Sequence, residues 1–195
     1  MTTCLFTGLP LRPARVHEVF GPAAAGFACI AGAQAPGAVL WIQESRTAET
    51  LNPNGIAPLL DPARLLLARS ANQTDSLAVA EEALRDGSVP FVVIEITHPL
   101  DLREGRRLQL AAKNGNSTGL CLIPEGMGSN AAETRWHAAP IFDPAREDST
   151  LMRWEIIKNK SGTTGAWNVR WNPETHRLDV VSPAAERPGS AGMSN

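Results

Sequence analysis

The sequence predicts an α/β fold: a mostly parallel, twisted sheet with helices on both faces, extended by antiparallel hairpins towards its C-terminal end. Through residue 124, continuously apolar strand candidates alternate with helical patterns, which is typical of the buried strands of a parallel sheet. Beyond Pro124 the strand candidates alternate in polarity, which is typical of antiparallel hairpins. The continuously apolar candidates are residues 38–43, 64–69, 91–96 and 118–123.

The remaining elements follow in order along the chain. Residues 16–20 form a short strand before a sharp turn at Gly21. Gly87 is a natural stop for one helix, and Asp101 with Glu104 resembles a capping box that opens the next helix, which Gly115 closes. The predicted helices are residues 23–34, one turn at 56–60, 74–86 and 101–113. The predicted late strands are residues 134–141, 152–160, 166–171 and 176–182.

The length of 195 residues, with 43% hydrophobic and 19% charged residues, predicts one globular domain with a sizeable core. We expect an irregular N-terminal arm over residues 1–15 and a disordered tail over residues 184–195. Between them, residues 16–183 form the domain. Its parallel core covers residues 16–124 and its antiparallel extension covers residues 133–183.

Composition also limits the function. The formal net charge of −2 argues against a strong polyanion binder. The N-terminus has no basic leader followed by an apolar run, and no apolar stretch is long enough to cross a bilayer, so we expect a cytoplasmic protein. Three scattered cysteines (Cys4, Cys29 and Cys121) and four scattered histidines lack metal-ligand spacing, so we expect no metal, no cofactor and no nucleophilic catalysis.

The segment from Val16 to Ala28 has the outline of a strand, a phosphate-binding loop and a helix. Gly21, followed by Pro22, and Gly26 have the glycine spacing of G-x-x-x-x-G-K-[ST], in which backbone N–H groups surround phosphate oxygens. However, Phe27 replaces the phosphate-binding lysine and Ala28 replaces the hydroxyl that binds Mg²⁺.

The effect of losing the lysine and the hydroxyl on nucleotide affinity can be estimated. A hydrogen bond to a charged group contributes roughly 1.5–3 kcal/mol, so losing both weakens nucleotide binding by roughly a hundred- to ten-thousand-fold. The sequence therefore predicts an inactive nucleotide site. A purely structural turn and a turn that still binds nucleotide remain as alternatives.

Glu95 is identified as the only acid inside an apolar strand. In P-loop ATPases an acidic residue near the end of a later parallel strand holds Mg²⁺ through water, and Glu95 could occupy that place. Alternatively, it is a carboxylate paired with an arginine or hydrogen-bonded at the edge of the sheet.

Two basic groups are candidate contact surfaces. Three arginines lie on one side of the helix at 101–113, where a solvated face or a site for an acidic partner is expected rather than DNA binding. In the late hairpin, basic residues are interleaved with tryptophans, which predicts a partner-binding surface; core packing and single-stranded DNA binding are the alternatives. The helix group is Arg103, Arg106, Arg107 and Lys113. The hairpin group is Arg153, Trp154, Trp167, Arg170 and Trp171, with Lys158 and Lys160 nearby.

Several blocks resemble the ImuA family of RecA-related accessory proteins of bacterial translesion synthesis. These blocks are HEVFGPAAAGFA (17–28), VLWI (39–42), LNPNGIAPLLDPARLLLAR (51–69), AEEALRDG (80–87), LDLREGRRLQLAA (100–112) and ETRWHAAP (133–140). The cell-division inhibitor SulA belongs to the same broad group.

The resemblance implies a RecA-type core made in the DNA-damage response. It implies as partners ImuB, an inactive Y-family-polymerase-like protein, an error-prone polymerase and RecA itself. Family members commonly lack the ATP-site residues, which matches Phe27 and Ala28, and Glu95 falls at the metal-acid position. A non-catalytic adaptor is therefore expected. The alternatives are a degenerate P-loop ATPase, a SulA-like division inhibitor and a DNA-binding module.

Overall fold

The computed structural model describes residues 11–46, 51–144 and 150–183. Within them the chain forms nine strands, four α-helices and a short 3-10 helix at Pro62–Arg64. The strands are β1 Val16–Phe20, β2 Val39–Glu44, β3 Leu65–Ser70, β4 Phe91–Glu95, β5 Thr118–Leu122, β6 Thr134–Pro140, β7 Leu151–Asn159, β8 Gly165–Asn172 and β9 Arg177–Pro183. The helices are α1 Ala24–Gln34, α2 Pro53–Ile56, α3 Gln73–Asp86 and α4 Leu102–Gly115.

All nine described strands form one sheet in the order β3-β2-β4-β5-β1-β6-β7-β8-β9. Pairing is parallel from β3 to β6 and antiparallel from β6 to β9. The predicted class, a mostly parallel α/β sheet extended by C-terminal hairpins, is confirmed. In one respect the prediction was incomplete, because β6 joins the parallel part by pairing with β1 before the antiparallel hairpins begin.

Helices cover the parallel part of the sheet on both faces. Alternate residues of each strand point to opposite sides, so each strand contributes to a cluster on either face. Trp41 and Val93 join the cluster around α1, whereas their neighbours Ile42 and Ile94 join the cluster under α3 and α4. The α1 cluster continues across the hairpins through buried residues of β6 to β9. One face of the extension is therefore part of the main core.

Local sequence fixes the helix ends. The predicted capping box is present: the Asp101 carboxylate accepts from the Glu104 N–H at 2.7 Å, and the Glu104 carboxylate accepts from the Asp101 N–H at 2.9 Å. Gly87 ends α3 with a φ of +75°, a left-handed conformation that glycine adopts without strain. The helix α4 extends to Gly115, and Asn116 supplies its left-handed cap.

Residues 64–69 were expected to form a buried strand, and this expectation is wrong. The strand β3 is at the edge of the sheet, and Leu66 and Leu67 are 49% and 44% exposed. The strand is as apolar as its buried neighbours, but only the strand order decides which candidate becomes the edge.

The predicted boundaries of the domain stay predictions. Residues 1–10 of the predicted arm and the predicted tail at 184–195 lie outside the described residues. Among the residues that are described, no helix is both long and apolar enough to span a membrane.

Candidate functional site

The connection between β1 and α1 is a tight turn, not an open loop. The strand β1 ends at Phe20 and α1 begins at Ala24, so only residues 21–23 join them. Gly26, the second glycine of the predicted loop, therefore lies inside the helix. A phosphate-binding loop needs the backbone between its two glycines to surround the phosphate, and here part of that backbone is helical.

Two backbone N–H groups of this turn donate to carbonyl oxygens within the protein. The Ala23 N–H donates to the carbonyl oxygen of Ala138 on β6 at 3.0 Å, and the Ala24 N–H donates to that of Gly21 at 3.0 Å. Pro22 has no N–H group. A side chain on Gly21, whose φ is +100°, would place its Cβ only 2.5 Å from the Ala138 oxygen. Glycine is required here by the approach of β6 and by the backbone conformation.

Phe27 and Ala28 are core residues. Both are fully buried, and the Phe27 ring lies 4.4 Å from the Trp154 ring and 5.4 Å from the Trp136 ring, measured between centroids. Such tilted aromatic pairs add to the stabilisation that burial alone provides. The position where a phosphate-binding lysine would stand is thus an anchor between α1 and the C-terminal strands.

Glu95 lies at the carboxyl end of β4, as predicted for an acid at this edge of the sheet. Its carboxylate accepts a hydrogen bond of 2.7 Å from the indole N–H of Trp41. It also lines a cavity of about 300 Å³, whose other walls include Ala25, Leu51 and Leu122. The described lining of this cavity contains no lysine or arginine, so it offers no cation to a triphosphate.

Contrary to the prediction from sequence, Glu95 is not the only acid inside an apolar strand. Glu18 on β1 is only 1% exposed. One of its oxygens accepts from the Arg135 Nε at 2.7 Å, and the other accepts from the Ser129 N–H at 2.7 Å. The sequence of β1, VHEVF, already places this acid among apolar residues and could have identified it as a buried carboxylate.

The lysines of the hairpin hold a loop in place. Lys158 Nζ donates to the carbonyl oxygens of Ser129, Asn130 and Ala132, each at 3.0 Å, and Lys160 Nζ donates to that of Ala131 at 2.7 Å. Burial, followed by the charge of nearby Arg135, lowers the pKa of Lys158. These two lysines stabilise the connection that leads into β6.

The predicted partner-binding group of the hairpin is divided between two faces of the sheet. Trp154 and Trp171 are 2% and 1% exposed, so the structure removes them from any surface. Trp167 is partly buried against the same core, with its ring 6.2 Å from that of Trp136. The positions of Arg153 and Arg170 in the alternation put both on the opposite face.

Both arginines on that face have acidic neighbours. Arg153 lies 3.5 Å from the carboxylate of Glu155, and Arg170 donates to that of Asp143 at 2.6 Å. Of the predicted surface group, Arg153, Arg170 and Trp167 are all partly exposed, and the other two tryptophans pack the core.

The basic group on α4 lies on a different part of the molecule. Arg107 pairs with Glu81 of α3 at 2.5 Å. Arg103, Arg106 and Lys113 are exposed to solvent. The structure does not bring this group together with the basic residues of the hairpin.

Burial shifts the pKa of three further side chains. His17 lies between the Thr134 hydroxyl, at 2.7 Å, and the Arg12 carbonyl oxygen, at 3.0 Å, and burial lowers its pKa to about 4. Burial raises the pKa of Cys29 to about 12 and also raises that of Cys121. Within residues 11–46, 51–144 and 150–183, no group of three or more histidine, cysteine or acidic residues could hold a metal ion.

Comparison of the sequence with known proteins finds relatives that share one name. No protein-family model matches the chain. The proteins named ImuA from two strains of Caulobacter vibrioides, NA1000/CB15N and ATCC 19089/CIP 103742/CB 15, are each 31% identical over 147 residues, which cover 67% of this chain and 59% of theirs. The chain thus matches less than two thirds of the length of these curated relatives.

A solved structure gives the architecture. The crystal structure of the RadB recombinase superposes with a TM-score of 0.65 at 14% identity, covering 88% of this chain and 93% of the other. At this level of identity the likeness concerns the fold alone, which is RecA-like.

Proposed function

The chain belongs to the ImuA family, and from this premise we propose that it is a non-catalytic, RecA-like accessory protein of damage-induced translesion DNA synthesis. It acts in the cytoplasm, and at the nucleoid when recruited, through contacts with other proteins. Its proposed partners are an ImuB-like, inactive Y-family-polymerase-like protein and the error-prone polymerase of the same complex, with RecA as a further candidate. Contact with DNA is made through these partners.

The geometry of the turn after β1 is the observation that carries the non-catalytic part of the proposal. The Ala23 and Ala24 N–H groups donate to carbonyl oxygens of the protein, and Phe27 fills the core where a lysine would reach the phosphates. Binding a triphosphate would require breaking backbone hydrogen bonds without a lysine to compensate. Each lost hydrogen bond that leaves a buried group unsatisfied costs about 1–3 kcal/mol.

The rival function is a degenerate ATPase that uses Glu95. Its position at the carboxyl end of β4 favours this alternative, since acids at that edge can hold Mg²⁺ through water. Against it stand the hydrogen bond from Trp41 and the absence of a cation among the described residues that line the adjoining cavity.

Titration calorimetry with Mg·ATP separates the two functions. The adaptor predicts no binding at micromolar nucleotide for the full chain and for Glu95→Gln alike. The matched control is Glu174→Gln, which removes an exposed carboxylate in the turn between β8 and β9. Micromolar binding that disappears in Glu95→Gln but persists in the control would establish a nucleotide site at Glu95 and overturn the proposal.

The face of the hairpin that carries Arg153 is the proposed contact for the ImuB-like partner. Arg153 is partly exposed and the core lies on the other face, so Arg153→Glu reverses a charge without opening a cavity in the core. We expect co-purification of the partner to fall about tenfold with Arg153→Glu. It should be unchanged with Arg46→Glu, an exposed control that follows β2 in the parallel part of the sheet. Equal retention by both variants would place the contact elsewhere.

A further inference from the structure

The helix α3 has an acidic flank that is open to solvent. Its residues are spaced four, three and four apart, so they follow one side of the helix. Val79 is 40% exposed at the centre of this stripe. The α3 stripe consists of Asp75, Val79, Glu82 and Asp86, all exposed.

The helix α4 has a matching basic flank. Two leucines lie exposed on it, Leu102 at 47% and Leu110 at 60%, although a leucine side chain is normally buried when the fold provides cover. Arg103 and Arg106 lie between these two leucines along the helix. The α4 stripe consists of Leu102, Arg103, Arg106, Leu110 and Lys113, all exposed.

Charges between the two helices within one chain are already paired. Glu81 accepts from Arg85 of its own helix and from Arg107 of α4. Arg85 also pairs with Glu82, so Asp75 and Asp86 are the acids of the α3 stripe that form no ion pair within the described residues. Arg103, Arg106 and Lys113, in contrast, form no ion pair within the part of the chain that the structure describes. The α4 stripe therefore keeps a positive charge that the fold does not neutralise.

The two stripes lie on opposite flanks of the helix pair. The groove between the helices is lined by Ala78 and Glu81 from α3 and by Glu104 and Arg107 from α4. At about 100° per residue, the stripe residues of each helix point away from this groove and away from the sheet. The acidic stripe therefore cannot reach the basic stripe of the same chain.

We propose that the α3 stripe of one copy of this chain packs against the α4 stripe of a second copy. The acidic residues then face the basic residues, and Val79 meets the exposed leucines. Because each copy offers a different surface to the other, the contact is heterologous and leaves one stripe open at each end of a pair. This inference concerns a site apart from the hairpin and does not depend on the partners proposed above.

The charges set the strength of the contact. Exposed ion pairs are individually weak and are screened by salt, so association is expected at low ionic strength and high protein concentration. Sedimentation velocity of the full chain between about 10 and 500 µM should show mass rising with concentration in about 0.05 M NaCl but not in about 0.5 M NaCl.

Charge reversal on each stripe gives the decisive test. Arg103→Glu/Arg106→Glu and Glu82→Arg/Asp86→Arg should each abolish self-association. Mixing the two variants should restore it, because the unaltered α3 stripe of the first then faces the unaltered α4 stripe of the second. The two reversed stripes are complementary as well. Unfolding curves of each variant confirm that it is folded.

A control excludes attraction by net charge alone. Arg46→Glu/Arg177→Glu has the same net charge as the α4 variant, but its substitutions are exposed and off both stripes. A mixture of this control with the α3 variant should associate no more than a mixture of the unaltered chain with the α3 variant. The proposal is overturned if the chain stays monomeric at low salt, if either reversal leaves association unchanged, or if the mixture fails to restore it.

Discussion

Replacing Phe27 by Lys and Ala28 by Thr restores the side chains that a phosphate-binding loop requires. We expect the double variant to lose stability and to gain no affinity for ATP. Phe27 is fully buried between two tryptophan rings, and removing a buried phenylalanine side chain costs about 3–5 kcal/mol before the penalty for a buried ammonium is added. A typical domain has only about 5–15 kcal/mol of total stability, so the variant should lie near the unfolding threshold.

Urea unfolding with and without about 1 mM Mg·ATP measures both effects. A ligand present at about 100 times its Kd raises the free energy of unfolding by about 2.7 kcal/mol, so binding near 10 µM would be visible. Phe27→Leu is the matched control and should lose about 1–2 kcal/mol, because most of the apolar volume stays. The assignment of Phe27 to the core would be refuted if the double variant unfolded at the same urea midpoint as the unaltered chain and if Mg·ATP raised that midpoint.

Three further predictions concern groups buried by the fold. Glu18→Gln should cost about 3 kcal/mol in urea unfolding, because it leaves Arg135 without its carboxylate; a loss below about 1 kcal/mol would contradict this. Glu18→Gln/Arg135→Met should recover most of the loss, since it removes the unpaired cation and keeps an acceptor for the Ser129 N–H. Arg64→Lys should cost about 1–3 kcal/mol in thermal unfolding. One guanidinium donates to the carbonyl oxygens of residues 32 and 33 in the last turn of α1 and of residues 35 and 37 beyond it, and an ammonium cannot span these acceptors. An unchanged melting temperature would contradict this prediction. Burial lowers the pKa of His17 to about 4, so between that pH and its unfolded value of 6.5 only the unfolded chain takes up this proton. Stability should therefore fall by about 3 kcal/mol as pH drops through this window, and His17→Gln should remove that part of the slope; identical slopes would rule it out.

Much of the architecture follows from short-range patterns. The continuous apolar runs of β2, β4 and β5 and the capping box of α4 involve residues close in sequence, whose preferences act locally. The same local information identified Phe27 and Ala28 as incompatible with phosphate binding. It could not place β3 at the edge, since strand order depends on which elements meet in space.

The sequence by itself determined the α/β class, the helix and strand positions, and the loss of the lysine and hydroxyl from the glycine turn. Only the tertiary structure decided that a carbonyl oxygen of β6 accepts a hydrogen bond from the Ala23 N–H and that Glu18 pairs with Arg135. It also decided that Trp154 and Trp171 face the core while Arg153 faces away from it. The physical reason is sequence distance. Each of these contacts joins segments far apart in the chain, and burial or hydrogen bonding between them exists only once the sheet has assembled in its own strand order.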